Sequence, residues 1–338
     1  MAPPPLRNQL TDVEGLRVGC AVDTAARTGV TVVVCDTPMT AAVDVRGGGP
    51  GTRDTDVLNL GGLVDRVDAI VLSGGSVYGL AAADGVTSAL GAQGRGVNLA
   101  PRPGVPGAPI VPAAILYDLA NEGDKAWGET PPYARLGREA LAAAQAEIPV
   151  GNAGAGYGAL AGALKGGQGT ASGQTSDGLT VGALVAVNSF GSVVMPDQAA
   201  FWAWPFEQGD EFGGVTPKAG VRTLEDWGLA RLDPGARENT SLAVVACNAD
   251  LTASEAHRLA VMAQDGLARA IRPAHAPFDG DVVFALASGA KPLPEPRALS
   301  VARLGGLAAD VLARTVARGV YAAESLGAEV SWRDRFSR

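Results

Sequence analysis

Thr240 follows Asn239 at the head of the run Leu242 to Cys247, which is short, apolar and reads as a buried strand. A small hydroxyl residue therefore stands where a loop enters a strand. If the Asn239–Thr240 bond breaks, Thr240 becomes an N-terminus that carries a hydroxyl and a free α-amine. Such an amine has an unperturbed pKa of about 7.7–8.0, near the range useful for a general base, and this pairing activates a weak nucleophile. In the intact chain the same nitrogen is an amide and takes no proton, so cleavage would switch the site on. The plain alternative is a turn closing on a strand. Asp279 and Asp281 lie two residues apart, and on an extended segment they face the same way. Two such carboxylates could hold the Thr240 ammonium or hydroxyl, and their mutual repulsion tends to raise one pKa. Read alone, Asp279-Gly280-Asp281 is equally a tight turn.

The other usual hydrolytic groups are scarce. The only histidines are His257 and His275, so a Ser-His-Asp triad or a zinc site would need one of them. His275, four residues before Asp279, suits a supporting hydrogen bond better than catalysis. Cys20, Cys35 and Cys247 are scattered, with neither metal spacing nor a disulfide framework. No metal or cofactor is expected. The glycines around Gly154-Ala-Gly156-Tyr-Gly158 miss the dinucleotide spacing, and Lys165-Gly-Gly lacks a P-loop's preceding glycine. Such glycines let backbone approach backbone or aim N–H groups into a cavity. Tyr117, and more weakly Tyr157, could hydrogen-bond a substrate or be core aromatics with satisfied hydroxyls.

The elements that must position these groups are legible as alternating strands and helices. Val30–Cys35, Val67–Leu72, Thr180–Asn188 and Asp281–Ala287 read as strands. Helical patterns cover about Val77–Leu90, Ala134–Glu147 and Leu299–Leu326, and Thr252-Ala-Ser-Glu255 is a capping box opening a helix to about Ile271. Asp44–Thr55 is a glycine-rich loop, Pro101–Pro112 is loop or extended chain, and Gly151–Gly173 is dominated by glycine and alanine. No repeat or boundary is visible, which suggests one layered α/β domain over residues 1–338.

Composition excludes several classes. The 338 residues are 47% hydrophobic and 18% charged, enough for a large core. With 27 Lys and Arg against 35 Asp and Glu, the net charge of −8 argues against a nucleic-acid partner. No stretch reaches membrane-spanning length and no secretory leader is visible, so the expected location is the cytoplasm, without a membrane partner.

Seven ordered segments carry a resemblance. They are Arg46-Gly-Gly-Gly-Pro-Gly-Thr-Arg53, Leu72-Ser-Gly-Gly-Ser-Val-Tyr-Gly-Leu-Ala-Ala-Ala-Asp-Gly85, Gly154-Ala-Gly-Tyr-Gly-Ala159 and Lys165-Gly-Gly-Gln-Gly-Thr-Ala-Ser172, then Ala186-Val-Asn-Ser-Phe-Gly191, Glu238-Asn-Thr-Ser-Leu-Ala-Val-Val245 and Asp279-Gly-Asp-Val-Val-Phe-Ala285. Together they resemble the self-cleaving L-aminopeptidase/D-amino-acid-esterase family, which includes β-aminopeptidases and the endo-type hydrolase of 6-aminohexanoate (nylon) oligomers. The likeness runs from about Leu10 to Leu326. Thr240 stands where many members have serine, and Asp279-Gly280-Asp281 where many have Ser-Gly-Glu, so in detail the chain looks more like the nylon-oligomer branch.

The resemblance implies a four-layer α/β/β/α sandwich like that of N-terminal-nucleophile hydrolases. It implies cleavage between Asn239 and Thr240 into pieces 1–239 and 240–338, which stay associated in a homo-oligomer of tetramer size or larger. By matching, Asn188 is the oxyanion donor, although an Asx turn is its ordinary role. Lys165 matches the family lysine, which would balance the aspartates or developing negative charge, unless it is a surface lysine. N–H groups of the Gly166–Gly169 stretch, Gly167 among them, could add donors toward substrate. The activity implied is hydrolysis of small peptides or linear amides through an acyl-enzyme. A non-catalytic small-molecule binding relative and an amine-accepting acyltransferase remain as alternatives.

Overall fold

The computed structural model describes residues 6–218, 227–231 and 239–336. Within them the strands are β1 (Leu16–Asp23), β2 (Thr28–Val45), β3 (Thr52–Arg53), β4 (Arg66–Ser73), β5 (Ala113–Ile115), β6 (Leu160–Ala161), β7 (Leu164–Lys165), β8 (Gly167–Gln174), β9 (Thr180–Val187), β10 (Leu242–Ala249) and β11 (Val282–Lys291). The helices are α1 (Ala81–Ala92), α2 (Tyr133–Ala142), α3 (Ala253–Ala270), α4 (Arg297–Ala322) and α5 (Trp332–Phe336).

Strands run in the order β3-β5-β4-β2-β11-β10-β9-β8, with β1 also on β2. The long β2 belongs to two half-sheets. Its first part pairs with β1 and β4, its register shifts between Val34 and Met39, and its last part pairs with β11. Side chains alternate across each strand, and the alternation sorts the core into three apolar layers. Val30, Val32 and Val34 pack with Ala82, Val86 and Leu136 of α1 and α2. Ala243, Val245 and Cys247 pack with residues of α3 and α4. Between the half-sheets, Val33 and Ile70 meet Val244 and Phe284. The order is therefore helices, half-sheet, half-sheet, helices, the α/β/β/α sandwich the sequence led us to expect. Strands β9 and β10 are buried at every position, so they read as continuous apolar runs rather than alternating ones.

Some boundaries differ from the sequence reading. Strand β2 extends to Val45 because Thr40–Val45 pairs with β11, so the glycine-rich loop starts only at Arg46. The helix read from Val77 opens with a 3-10 turn, Ser76–Leu80, before α1. The last helix is α4, ending at Ala322 rather than Leu326. Thr252 and Glu255 form the capping box foreseen at the start of α3. The stretch Gly166–Gly169 is a correction. Most of it is strand β8, Gly166 N–H donates to Ala159 O at 2.9 Å, and Gln168 N–H to Gly151 O at 2.8 Å. Those donors serve the backbone ladder, not a cavity.

Candidate active site

Four strand ends meet at Thr240. Strands β10 and β11 are parallel neighbours in register Leu242↔Val282, and a bridge joins Asn239 to Asp279 just ahead of them. Strand β9 is antiparallel to β10, so Asn188 leaves it beside Thr240, whose N–H donates to Asn188 O at 2.5 Å. Strand β2 ends opposite Val282 and delivers the 46–51 loop, where Gly49 N–H donates to Asp279 O at 2.8 Å and Arg46 N–H to Asp281 O at 3.0 Å. This convergence is tight. A Cβ on Gly280 would stand 2.5 Å from Thr240 Oγ1, and one on Gly47 would stand 2.3 Å from Asp279 O.

Thr240 is buried, and its Oγ1 donates to the Asn239 carbonyl oxygen at 2.6 Å. Gly280 N–H donates to the same oxygen at 2.8 Å. Of the two, Gly280 N–H is free to stay on the oxygen and would stabilise negative charge developing there. This hydroxyl is one residue from that carbon, so an attack by it would close a small ring. On either side, Asn239 Oδ1 and Ser241 Oγ are buried without a hydrogen-bond partner among the described residues.

Both aspartates are buried beside this bond. Asp281 Oδ1 accepts from Ser241 N–H at 2.8 Å, and its Oδ2 accepts from His275 N–H at 3.2 Å and from Nδ1 at 2.9 Å. Contact with a carboxylate requires the Nδ1–H tautomer or the imidazolium. His275 thus has the supporting role foreseen for it. Asp279 Oδ2 accepts from Ala276 N–H at 2.8 Å and its Oδ1 from Phe190 N–H at 3.4 Å. Burial, and after it the charge of Asp281, push the Asp279 carboxyl up to about 7. The hydrogen bonds of both carboxylates go to backbone and His275. Asp281 meets the residue after Thr240, through the Ser241 N–H, rather than the Thr240 hydroxyl.

Asn188 is oriented from both ends. Its Oδ1 accepts from Leu160 N–H at 2.9 Å and its Nδ2 donates to Tyr117 O at 3.1 Å. Tyr117 lines a cavity of about 410 Å³ that Thr240 also lines. It also borders a void of about 20 Å³ shared with Asn188 and Asp118. Tyr157 follows the 3-10 turn Gly154–Gly156, half-buried, and is not among the residues lining the Thr240 cavity.

Lys165 is fully buried, not on the surface. Its Nζ donates to Gly166 O at 2.7 Å, Ala159 O at 3.1 Å and Gly156 O at 3.2 Å. Burial pulls its pKa down to about 7. These bonds hold a turn; none reaches an aspartate. A Cβ on Gly167 would stand 2.5 Å from Gly319 O, so glycine there admits α4. Glu238, in the motif before the cleavage bond, lies outside the described residues.

Two contributors had signals that carried no role in the sequence. Gly280, between the aspartates, supplies the donor on the Asn239 carbonyl, and the Gly47–Gly49 run supplies backbone to both aspartates.

Comparison with known proteins follows this geometry. The profile of peptidase family S58 matches residues 8–331. An aminopeptidase of Mycobacterium tuberculosis, itself uncharacterised, is 44% identical over 351 residues, 97% of this chain and 98% of its own length. The 6-aminohexanoate-oligomer endohydrolase of Kocuria sp. (strain KY2) is 30% identical over 321 residues, 89% of this chain and 82% of its own. Among solved structures, a Burkholderia sp. beta-aminopeptidase superposes with TM-score 0.71 at 23% identity, covering 98% of this chain and 92% of its own. The L-aminopeptidase D-Ala-esterase/amidase of Ochrobactrum anthropi, a variant of the Ntn hydrolase fold, gives 0.69 at 20%, covering 96% and 90%. These two structures share the fold.

Proposed function

The chain belongs to peptidase family S58 and is a hydrolase of peptide or amide bonds, and from that premise we propose that Thr240 first cuts its own chain and then serves as the N-terminal nucleophile. The observation that carries this reading is the Asn239 carbonyl itself, whose oxygen lies 2.6 Å from Thr240 Oγ1 and accepts from Gly280 N–H at 2.8 Å. In the first reaction Oγ1 bonds to the Asn239 carbonyl carbon and loses its proton. The C–N bond breaks and the nitrogen of Thr240 gains a proton. Water then opens the ester, leaving the Asn239 carboxylate, the Thr240 hydroxyl and a free α-amine.

In the second reaction the α-amine takes the Oγ1 proton as the oxygen bonds to the substrate's acyl carbon. The amide C–N bond breaks, the leaving amine departs protonated, and water hydrolyses the ester to the acid. In this reading the oxyanion is received by Gly280 N–H, which already serves the Asn239 carbonyl, with the Asn188 amide as second donor. The carboxylates of Asp279 and Asp281 hold the strand entrances in register, and Lys165 fixes the turn whose Leu160 N–H orients Asn188.

We further propose that residues 1–338 act as one catalytic domain, cut into 1–239 and 240–338. Strands β10 and β11 of the smaller piece lie between β2 and β9 of the larger, so separation would tear a shared sheet. The substrates are small peptides or linear amides, as the named activities of the relatives suggest. The working form is a homo-oligomer of cleaved chains, tetrameric or larger, in the cytoplasm. The three cysteines are unpaired, which suits a reducing compartment.

Intact mass under denaturing conditions tests the reading. Two masses matching 1–239 and 240–338 are expected from the wild type, and one uncut mass without amide turnover from Thr240→Ala. A wild-type mass that stays at 34.0 kDa on long incubation, or a Thr240→Ala protein that still cleaves, would sink it.

A further inference from the structure

Asp118 is a buried carboxylate, 3% exposed, that neither reaction above uses. Its hydrogen bonds come from neutral donors. Thr28 Oγ1 donates to Oδ2 at 2.6 Å and Gly75 N–H to Oδ1 at 2.7 Å. Burial pushes the carboxyl up to about 6, against the pull of those two donors and of the Lys125 charge. Hiding a charge from water carries a cost that an apolar residue would not have. What the carboxylate holds in place accounts for it.

It holds the turn that leaves β4. Gly75 and Ser76 follow one another at φ 86° and 51°, both left-handed. Glycine takes that conformation freely; serine does so seldom, and such backbone persists only where its surroundings fix it. The 116–118 segment does the fixing. Ser76 N–H donates to Leu116 O at 2.9 Å, Gly75 N–H to Asp118, and Leu116 N–H back to Ser73 O at 2.9 Å. A Cβ on Gly74 would stand 2.1 Å from Asp118 Oδ2, so turn and carboxylate are in close contact. Leu116 and Asp118 flank Tyr117. Ser76 and Val77 of the turn and Tyr117 of the segment all line the cavity beside Thr240. The Asn239 carbonyl is served from elsewhere, by Thr240 Oγ1 and Gly280 N–H.

We infer that Asp118 is a positioning residue for substrate: its carboxylate clasps the Gly74–Ser76 turn to the Tyr117 segment and so keeps the cavity beside Thr240 in its receiving shape, without part in self-cleavage. It acts through Ser76, Val77 and Tyr117 and touches no reacting atom. The inference rests on Thr240 as the nucleophile of that cavity. With the clasp loosened, the receiving shape is populated for only part of the time, and apparent affinity falls by that fraction. The bound complex keeps its chemistry, since Asn188 is also held by Leu160 N–H at 2.9 Å. KM should therefore move while kcat does not.

Two variants test it on the self-cleaved protein at pH 8, where Asp118 is ionised. The probe is p-nitrophenyl hexanoate, an activated ester open to any competent nucleophile, with Thr240→Ala as the blank. Asp118→Asn keeps the shape and an acceptor for Gly75 N–H but not the charge. Asp118→Ala removes the acceptor. KM should rise about fivefold in the first and about tenfold or more in the second, the scale of hydrogen bonds to a charged group weakened or lost. The kcat and the time course of the two fragment masses should stay close to wild type. An unmoved KM in either variant overturns the inference. So does a fall in kcat and self-cleavage alongside KM, which would make Asp118 a residue of the fold at large. If Asp118→Ala does not fold, the isosteric Asp118→Asn decides alone. A wild-type chain that stays uncut, or that cleaves the ester no faster than Thr240→Ala, defeats the Thr240 reading and this inference with it. A cut, active enzyme whose KM ignores Asp118 defeats this inference alone.

Discussion

The stretches 46–51 and 166–173 are both glycine-rich, and the packing around them differs in kind. In the first, Gly47 and Gly49 bring backbone against Asp279, and across the gap Gly280 leaves room for Thr240 Oγ1. In the second, Gly167 and Gly169 let β8 lie against Gly319 and Thr315 of α4. One set of glycines lets a loop and the Asp279–Asp281 turn close on Thr240; the other admits a helix to a sheet. The buried ionisable groups follow the same division. The aspartates brace the strand entrances at Asn239–Thr240, while Lys165 clasps three carbonyls of a turn. A glycine-rich motif therefore reports a close approach, and only the partner tells whether chemistry or packing requires it.

The sharpest way to break this division is Gly280→Ala. The added methyl would stand 2.5 Å from Thr240 Oγ1 and 2.9 Å from Gly49 O, so the tightest clash falls on the proposed nucleophile. Self-cleavage should slow by about 100-fold, the scale of a misplaced reacting atom, with the fold kept. The time course of the two fragment masses reads it, and a near-wild-type rate would place Thr240 Oγ1 outside the reaction.

Gly169→Ala should do the opposite. Its methyl would stand 2.0 Å from Thr315 O, a backbone atom inside α4. We expect a loss of about 2–4 kcal/mol in urea unfolding, with cleavage intact in protein that folds. Lost cleavage at unchanged stability would put this glycine in the site after all.

Lys165→Met leaves three carbonyls without their donor and should cost about 1–3 kcal/mol at alkaline pH. The pH dependence has a fixed sign. Burial lowers the lysine pKa from 10.5 to about 7, so its favourable contribution is full above 10.5 and is lost as pH falls toward 7. The deficit of the variant, read as urea midpoints across that range, should narrow with acidification. A deficit that widens instead would mean that Lys165 has a charged partner in the native state.

The smallest effect belongs to Gly49→Ala, inside the same motif as Gly47. Its nearest neighbours are backbone oxygens at 3.8 and 3.9 Å, an ordinary contact. Stability should change by less than about 0.5 kcal/mol and cleavage hardly at all. A large effect would show that the glycine run is needed for its flexibility rather than for the approach at Gly47.

The sequence carried the strands at Thr180, Leu242 and Asp281 because their apolar runs are continuous, and α3 because Thr252 and Glu255 cap it reciprocally. Thr240, Asn188 and the aspartates were legible because each stands at the end of such a run. Lys165 was not: a buried lysine and a surface lysine are spelled the same way. The Gly166–Gly169 donors were misplaced because glycine states that something approaches without stating what.

By itself, then, the sequence determined the candidate nucleophile, its neighbours in the chain and the alternation of elements, since these depend on residue type and spacing alone. Only the tertiary structure decided that β10 runs parallel to β11 and antiparallel to β9, which brings Gly280 N–H onto the Asn239 carbonyl and Asp281 onto Ser241 N–H. Hydrogen bonds between strand entrances some 40 residues apart in the chain, such as Ser241 and Asp281, are set by register, and register is fixed by how two half-sheets bury a common core.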